Sequence, residues 1–421
     1  MEDVIIVGAG PAGNGTALDL AKAGHKVTVL DHRERLGDKV CTGIVSVECL
    51  REFPSASPVV LRSANSATVV SPAGRRLHLE RERPQACIID RASYVAGIAR
   101  KAQEAGATYL LGRRVTRVQR RPDRVEVDID GAPVRLEAQV LVVASGFGTS
   151  ITKRLGLGRV GDFALGVQVE VLAPEITEIE VYMGEAVAPG FFAWLVPTSN
   201  GKALVGLWSR HKVGQHLGNL LATLQAQGKV VTILGRPRRW GIPLKPLQRT
   251  VGHRVVVVGD AAGQVKPTTG GGIYFSLLSG RIAAKAIGRA LKVGDFSAAA
   301  LGQYEEGWKA LLGSELDTGY KIRRTAERLA DWQVDQVLKA IASNGFLKDL
   351  LASPDLCFDW HAPLARKVMG IPAVSESLRL FGATASGVRS IINWLEEPKL
   401  GERDDSSGLE LSAEPLRRGD R

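Results

Sequence analysis

Four β-branched residues, Val4, Ile5, Ile6 and Val7, run without a break into Gly8-Ala9-Gly10-Pro11-Ala12-Gly13, and an apolar stretch of helical character follows over residues 17–23. A continuous apolar run reads as a strand buried on both faces, the kind found in parallel sheets covered by helices. Glycines at this spacing let the chain turn sharply out of the strand, bring backbone N–H groups close to a phosphate, and pack the helix tightly on the strand it leaves. A second strand over residues 26–30 ends at Asp31, about where a carboxylate accepts from ribose hydroxyls. Strand, glycines, helix, strand and acid in that order commit the start of the chain to a dinucleotide-binding βαβ unit.

A second stretch, residues 255–284, closes the same site from far along the chain. Its valine run ends at Gly259-Asp260, and Gly270, Gly271 and Gly272 precede a helix that begins at Ile273. A helix start behind glycines presents free N–H groups and the positive end of its dipole to a ligand, and Asp260 adds one carboxylate. The two stretches together predict FAD. Gly8, Gly10, Pro11, Ala12 and Gly13 are expected at the pyrophosphate, Asp31 at the ribose, and Gly259 and Asp260 at the ribityl chain. Gly270, Gly271, Gly272 and Ile273 are expected at the pyrimidine side of the ring, where the reduced flavin becomes anionic. A third GxGxxG, residues 156–161, follows ITKRL rather than an apolar strand and precedes an alternating segment, so it reads as a loop. With one dinucleotide fold, the electrons must come from a transiently docking NAD(P)H or from a reduced carrier protein.

Three segments resemble the geranylgeranyl reductase family of flavoproteins, within the larger group that shares the aromatic-hydroxylase FAD fold. GDAAGQVKPTTGGGIYFSLLSGRIAA, residues 259–284, resembles that family's second FAD motif. PGFFAWLVP, residues 189–197, resembles its substrate-sheet motif PxxYxWxFP, and Lys39-Val40-Cys41-Thr42-Gly43 resembles its cysteine-bearing loop. The matches cover residues 1 to about 300. The resemblance implies reduction of C=C bonds in a prenyl lipid or isoprenoid diphosphate by hydride from reduced FAD. It places Cys41 over the flavin as proton donor, Phe192, Trp194 and Pro267 on the substrate side, and Arg91 near the cofactor. A thiol in apolar surroundings keeps its proton, as a general acid must. The plainer readings are Cys41 as a small packing residue, Trp194 as sheet core and Arg91 paired with Asp90. Phe192 stands where the family usually has Tyr, which removes a hydroxyl, and Ser145 stands where related hydroxylases carry the Asp of Ala-Asp-Gly.

The remaining pattern predicts an α/β architecture. A discontinuous Rossmann-like FAD-binding domain (1–160 and 251–300) carries an inserted, mostly antiparallel substrate sheet (161–250). A helical C-terminal region (301–400) and a disordered tail (401–421) follow. Within this frame a hairpin is expected over 67–80, a helix over 92–105, and strands over 113–118, 125–129 and 138–144. Alternating strands are expected over 165–171, 176–183, 191–196 and 203–208, and helices over 273–291, 304–311, 319–329, 338–351 and 378–395. The last of these has an apolar face that fits domain docking or a membrane interface.

A chain of 421 residues with 45% hydrophobic content can bury a core of this size. With no leader pattern and no apolar run of membrane-spanning length, a cytoplasmic protein is expected, peripheral at a membrane if attached at all. The four cysteines, Cys41, Cys49, Cys87 and Cys357, lack metal-ligand spacing, which predicts a reducing compartment and no metal. Net charge is +11, and residues 229–259 carry Lys229, Arg236, Arg238, Arg239, Lys245, Arg249 and Arg254 with no acid before Asp260. That run suits phosphate, anionic lipid or an acidic electron carrier, or else is a solvated basic face. Aromatic residues at 5% and the lack of a reading motif argue against nucleic acid. Two other classes share these features: a flavin monooxygenase or halogenase, and a prenyl-lipid carrier without turnover. Halogenases carry a double Trp near Phe192-Ala193-Trp194, where this chain has one.

Overall fold

Apolar runs without alternation pair in parallel here, as two buried faces require. In the computed structural model, which describes residues 1–369 except 56–57, 132–134, 343–344 and 354–355, the strand Glu2–Val7 lies between Arg135–Val143 and Val27–Asp31. Val255–Val257 and Thr108–Leu111 extend this parallel core on either side. Val4, Ile5 and Ile6 are fully enclosed. Val115–Arg120 and Val125–Ile129 form an antiparallel pair attached to Arg135–Val143.

The first helix, Pro11–Lys22, begins at Pro11 rather than at residue 17. Proline's fixed φ suits the first helical position, where a missing N–H costs nothing. This helix packs against Arg91–Glu104 and against Ile273–Val293, the helix behind the second glycine segment. A Cβ on Gly280 would fall 2.8 Å from Ala12 O and 2.9 Å from Thr16 Oγ1, so the two glycine-led helices cross at backbone contact.

A seven-stranded sheet follows the order Thr232–Pro243, Phe163–Leu172, Lys202–Ser209, Phe192–Pro197, Ile179–Met183, Ser66–Val70 and Arg76–Glu80. All its pairings are antiparallel except Ile179–Met183 with Ser66–Val70. The hairpin of residues 66–80 thus extends a sheet expected to draw on residues 161–250 alone. Its strands alternate like the others and have an exposed edge to pair with, a tertiary choice that periodicity does not encode.

Register places large rings beside glycines. Trp194 lies opposite Gly206, and Gly166 lies opposite both Trp208 and Trp240. A Cβ on Gly206 would sit 2.5 Å from the Trp194 ring, and one on Gly166 would sit 2.7 Å from Trp240. Phe192, Trp194, Trp208 and Trp240 therefore share one face, packed edge to face or tilted.

The helical patterns over 304–311 and 319–329 are one helix, Ala298–Ala326. Gly313 and Gly319 interrupt the apolar stripe in the sequence, and burial of Leu301, Tyr304, Trp308, Leu312 and Leu316 carries the helix through that region. The opposite occurs over 338–351, which divides into Asp331–Ala342 and Phe346–Ala352 with Gly345 at φ 73° heading the second. The expected helix over 378–395 and tail over 401–421 lie outside the described residues. No described helix is long and apolar enough to cross a membrane.

Gly206→Ala tests the ring-and-glycine packing: overpacking costs about 1–3 kcal/mol. The melting temperature is expected to fall by several degrees, and an unchanged transition would show that the sheet does not depend on this contact.

Candidate functional site

The first glycine motif and Asp260 meet around a cavity of about 790 Å³ lined by Gly8–Ala12, Asp31, Lys39, Arg91, Ser145 and Asp260, whereas Gly13, Cys41, Gly259, Gly270–Gly272 and Ile273 are not among its lining residues. Each glycine of the first motif has its own steric reason. Gly8 has φ 112°, and a Cβ there would lie 2.3 Å from Ala144 O. A Cβ on Gly13 would lie 1.9 Å from Gly8 O, so helix and strand touch through it. Among the described residues nothing lies within 4 Å of the corresponding point on Gly10, which leaves that backbone open to the cavity. The hydroxyl of Ser145, the residue that departs from Ala-Asp-Gly, is buried in this wall without a hydrogen-bond partner among the described residues. An open glycine backbone at a helix start, an orphaned hydroxyl and two carboxylates form a donor and acceptor set that fits FAD.

Asp31 accepts from Ala9 N at 2.8 Å through one carboxylate oxygen and from Arg33 N at 2.9 Å through the other. It ties the second strand to the glycine turn, and each oxygen keeps a lone pair for a ribose hydroxyl. Arg91 is not paired with Asp90, which caps its helix by accepting from Ser93. Instead the buried Arg91 guanidinium donates to Gly37 O at 2.8 Å and Lys39 O at 3.1 Å. It thereby shapes the loop that delivers Lys39 to Asp260, with which Lys39 forms an ion pair. Arg238 closes the same loop from the sheet by pairing with Asp38 at 3.0 Å. Lys39 carried no sequence signal beyond its place in the segment that resembles the cysteine-bearing loop.

The second glycine segment meets the aromatic face directly. A Cβ on Gly270 would sit 3.3 Å from Ile242 and 3.5 Å from Trp208. Across that face the Trp194 indole donates to Gln168 Oε1 at 3.1 Å, and Gln168 Nε2 donates to the carbonyl of Cys41 at 3.3 Å. Gln168, buried on the strand Phe163–Leu172, was not singled out by any motif. Cys41 is half-buried rather than enclosed, and Gly43 N donates to its sulfur at 3.4 Å. Phe192 is half-buried against Trp208. Pro267 faces the long helix, where its Cδ lies 3.1 Å from the point a Cβ on Gly319 would occupy.

Behind this segment lies a polar brace built from the C-terminal quarter, which had offered no sequence anchor. Lys266 and Asp359 pair at 2.6 Å with both side chains almost wholly buried. Glu315 accepts from the backbone N–H groups of His361 and Ala362 at 2.8 Å each, and Thr268 bonds the His361 ring. Burial, with the nearby Lys266 charge, pushes the His361 pKa down to about 4. The basic run is divided in use: Lys229 pairs with Glu180, and the buried Arg254 holds Pro122 O and Gln139 O, while Arg238 and Arg239 line the cavity. Residues 156–161 form a loop between the short helix Ile151–Arg154 and the strand Phe163–Leu172.

Residues 2–164 match the family model described as pyridine nucleotide-disulphide oxidoreductase. The chain is 29% identical over 395 residues to the digeranylgeranylglycerophospholipid reductase of Methanoculleus marisnigri, covering 86% of this chain and 97% of that protein. It is 30% identical over 371 residues to the enzyme of the same name from Methanosphaerula palustris, covering 81% and 89%. A geranylgeranyl bacteriochlorophyll reductase-like protein from Thermoplasma acidophilum superposes with a TM-score of 0.79 at 20% identity, covering 94% of this chain and 99% of that one. The halogenase PltM, solved with phloroglucinol and FAD, superposes at 0.65 and 15% identity over 94% and 96%.

Two measurements check this site. Asp260→Ala is expected to weaken FAD retention about 10- to 100-fold, the loss of a charge-assisted contact; full flavin content after dialysis would remove Asp260 from the site. A His361 pKa held below its ordinary 6.5 means the unfolded chain binds the extra proton first, so stability present above pH 6.5 is lost as pH falls toward 4. The melting temperature should decline across that window, and His361→Gln should flatten the decline.

Proposed function

This chain belongs to the geranylgeranyl reductase family of FAD-dependent oxidoreductases, and from that premise we propose that it saturates isolated C=C bonds in a geranylgeranyl-type prenyl lipid. The observation that carries the reading is the contact of the aromatic sheet face with the Gly270–Gly272 helix start. That junction sets an apolar wall beside backbone N–H groups that favour negative charge. We assign residues 1–160, apart from the hairpin at 66–80, and 251–300 to cofactor binding, and residues 161–250 with that hairpin to the substrate side.

FAD, when bound and reduced, supplies a hydride to one alkene carbon. The protein's task is everything else. The half-buried Phe192, backed by the buried rings of Trp194 and Trp208, accepts the prenyl chain and excludes water, since no carbonyl is present to spread the developing charge. The Gly272–Ile273 helix start and the Lys39–Asp260 pair balance charge at the cofactor end. Cys41 gives its thiol proton to the neighbouring carbon and regains one from water, while Gln168, fixed by Trp194, holds the Cys41 backbone in place. The lone Trp of Phe192-Ala193-Trp194 favours this reading over halogenation. Electrons reach the site from NAD(P)H or a reduced carrier protein, and the lipid substrate brings a cytoplasmic protein to the membrane surface.

Anaerobic reduction of the holoprotein followed by geranylgeranyl diphosphate tests the proposal. The flavin should reoxidise as the product gains one hydrogen pair per double bond. Cys41→Ser should slow this by about 100-fold or more with flavin content unchanged. A flavin that stays reduced until oxygen enters would overturn the reductase reading in favour of oxygen chemistry.

A further inference from the structure

A second cavity, of about 820 Å³, lies at the end of the aromatic sheet, where the strand Ile179–Met183 stops and Phe192–Pro197 starts. Its wall is mostly apolar, formed by Phe191, the end of the helix Ala298–Ala326, and Val334, Val337 and Leu338 of the next helix. Charged groups also line it, the cations Arg210, Lys212 and Arg328 and the acids Glu185, Glu327 and Asp331, of which Glu327 pairs with Arg210 and Arg324. Arg323 is 6% exposed, yet no carboxylate lies within ion-pair distance of it among the described residues. Its neighbour in the wall, Arg210, is held by Asp162 and Glu327, which commits those acids elsewhere.

The Arg323 guanidinium donates through Nη2 to Gly190 O and lies over the rings of Phe191, at 4.5 Å, and Trp208, at 5.7 Å. Among the described residues its Nε has no hydrogen-bond partner, and neither does Nδ1 of His216 in the same wall. Ring faces offset part of the desolvation of a cation but leave its charge and spare donors unanswered. Burial pulls the Arg323 pKa to about 10, with Glu327 opposing the shift, so it is charged at neutral pH. A buried fork of donors in a mostly apolar chamber matches the phosphate of an amphipathic molecule.

We propose that this cavity holds the phosphate-bearing head of the prenyl lipid, with Arg323 as its counter-ion and His216 as a second donor. The assignment rests on the reductase reading above. Trp208, itself fully buried, packs against Arg323, Phe192 and the Gly270 position, so a head anchored at Arg323 lies one ring away from the aromatic face and the glycine segment.

Binding to the oxidised holoprotein, read by flavin fluorescence, tests this without turnover. The probes are geranylgeranyl diphosphate, geranylgeraniol and inorganic pyrophosphate in one detergent. The diphosphate should bind about 10- to 100-fold more tightly than the alcohol, the range for hydrogen bonds to a charged partner. Arg323→Met should erase that preference without changing affinity for the alcohol, and Arg323→Lys should restore part of it. His216→Ala, at a half-buried position, should narrow the preference and serves if Arg323→Met does not retain flavin. Equal binding of diphosphate and alcohol to the unaltered protein, or a preference that survives Arg323→Met, overturns the head-group site. Reduction of the alcohol in that case leaves the reductase reading standing. Pyrophosphate binding as tightly as the diphosphate overturns the lipid assignment in favour of a free-anion site, and no binding of either prenyl compound overturns both readings.

Discussion

The backbone contact between Gly280 and the Ala12–Thr16 turn is the constraint on which the rest of the site depends. The crossing sets the glycine-led start of the first helix against Gly280, two turns into the second glycine-led helix, although the two come from opposite ends of the chain. Gly259 repeats the condition from the strand side, since a Cβ there would fall 2.9 Å from that of Ala12. A larger residue at either place would separate the halves of the cofactor cavity before it touched any ligand-binding group.

Around that contact the chain arranges charge in two different ways. Lys39 and Asp260 pair where both remain partly exposed, so the pair can open and exchange partners with a ligand. Lys266 and Asp359 pair deep in the protein, where desolvation offsets much of the attraction. The buried pair is therefore better understood as registry, fixing the C-terminal segment against the glycine loop, than as a source of net stability. Glu315 serves the same end by accepting the N–H groups at the start of the following helix. Opposite this brace the sheet offers apolar rings stacked over glycines, a surface whose shape is set by what side chains are missing.

Local chemistry was legible wherever one short segment determined its own conformation. The apolar run into Gly8, Gly10 and Gly13, the strand end at Asp31 and the helix start after Gly272 are all where pattern placed them, because strand burial and glycine sterics act within a few residues. Arg91 was visible as a residue of interest, but its partners, the carbonyls of Gly37 and Lys39, come from a loop distant in sequence. Gln168 was hidden for a similar reason: a glutamine in an alternating strand looks like solvent-facing polarity until Trp194 and Cys41 are brought to it.

The sequence by itself determined the βαβ start, the glycine-led helices and the alternation of the substrate strands, since these depend on backbone sterics and hydrophobic period. Tertiary structure alone decided that the 66–80 hairpin joins the far sheet, that one long helix spans Gly313 and Gly319, and that Arg323 is buried with no carboxylate at ion-pair distance among the described residues. Pairing an edge strand, burying a helix face and isolating a charge are properties of what stands opposite a residue. No periodicity along the chain carries that information.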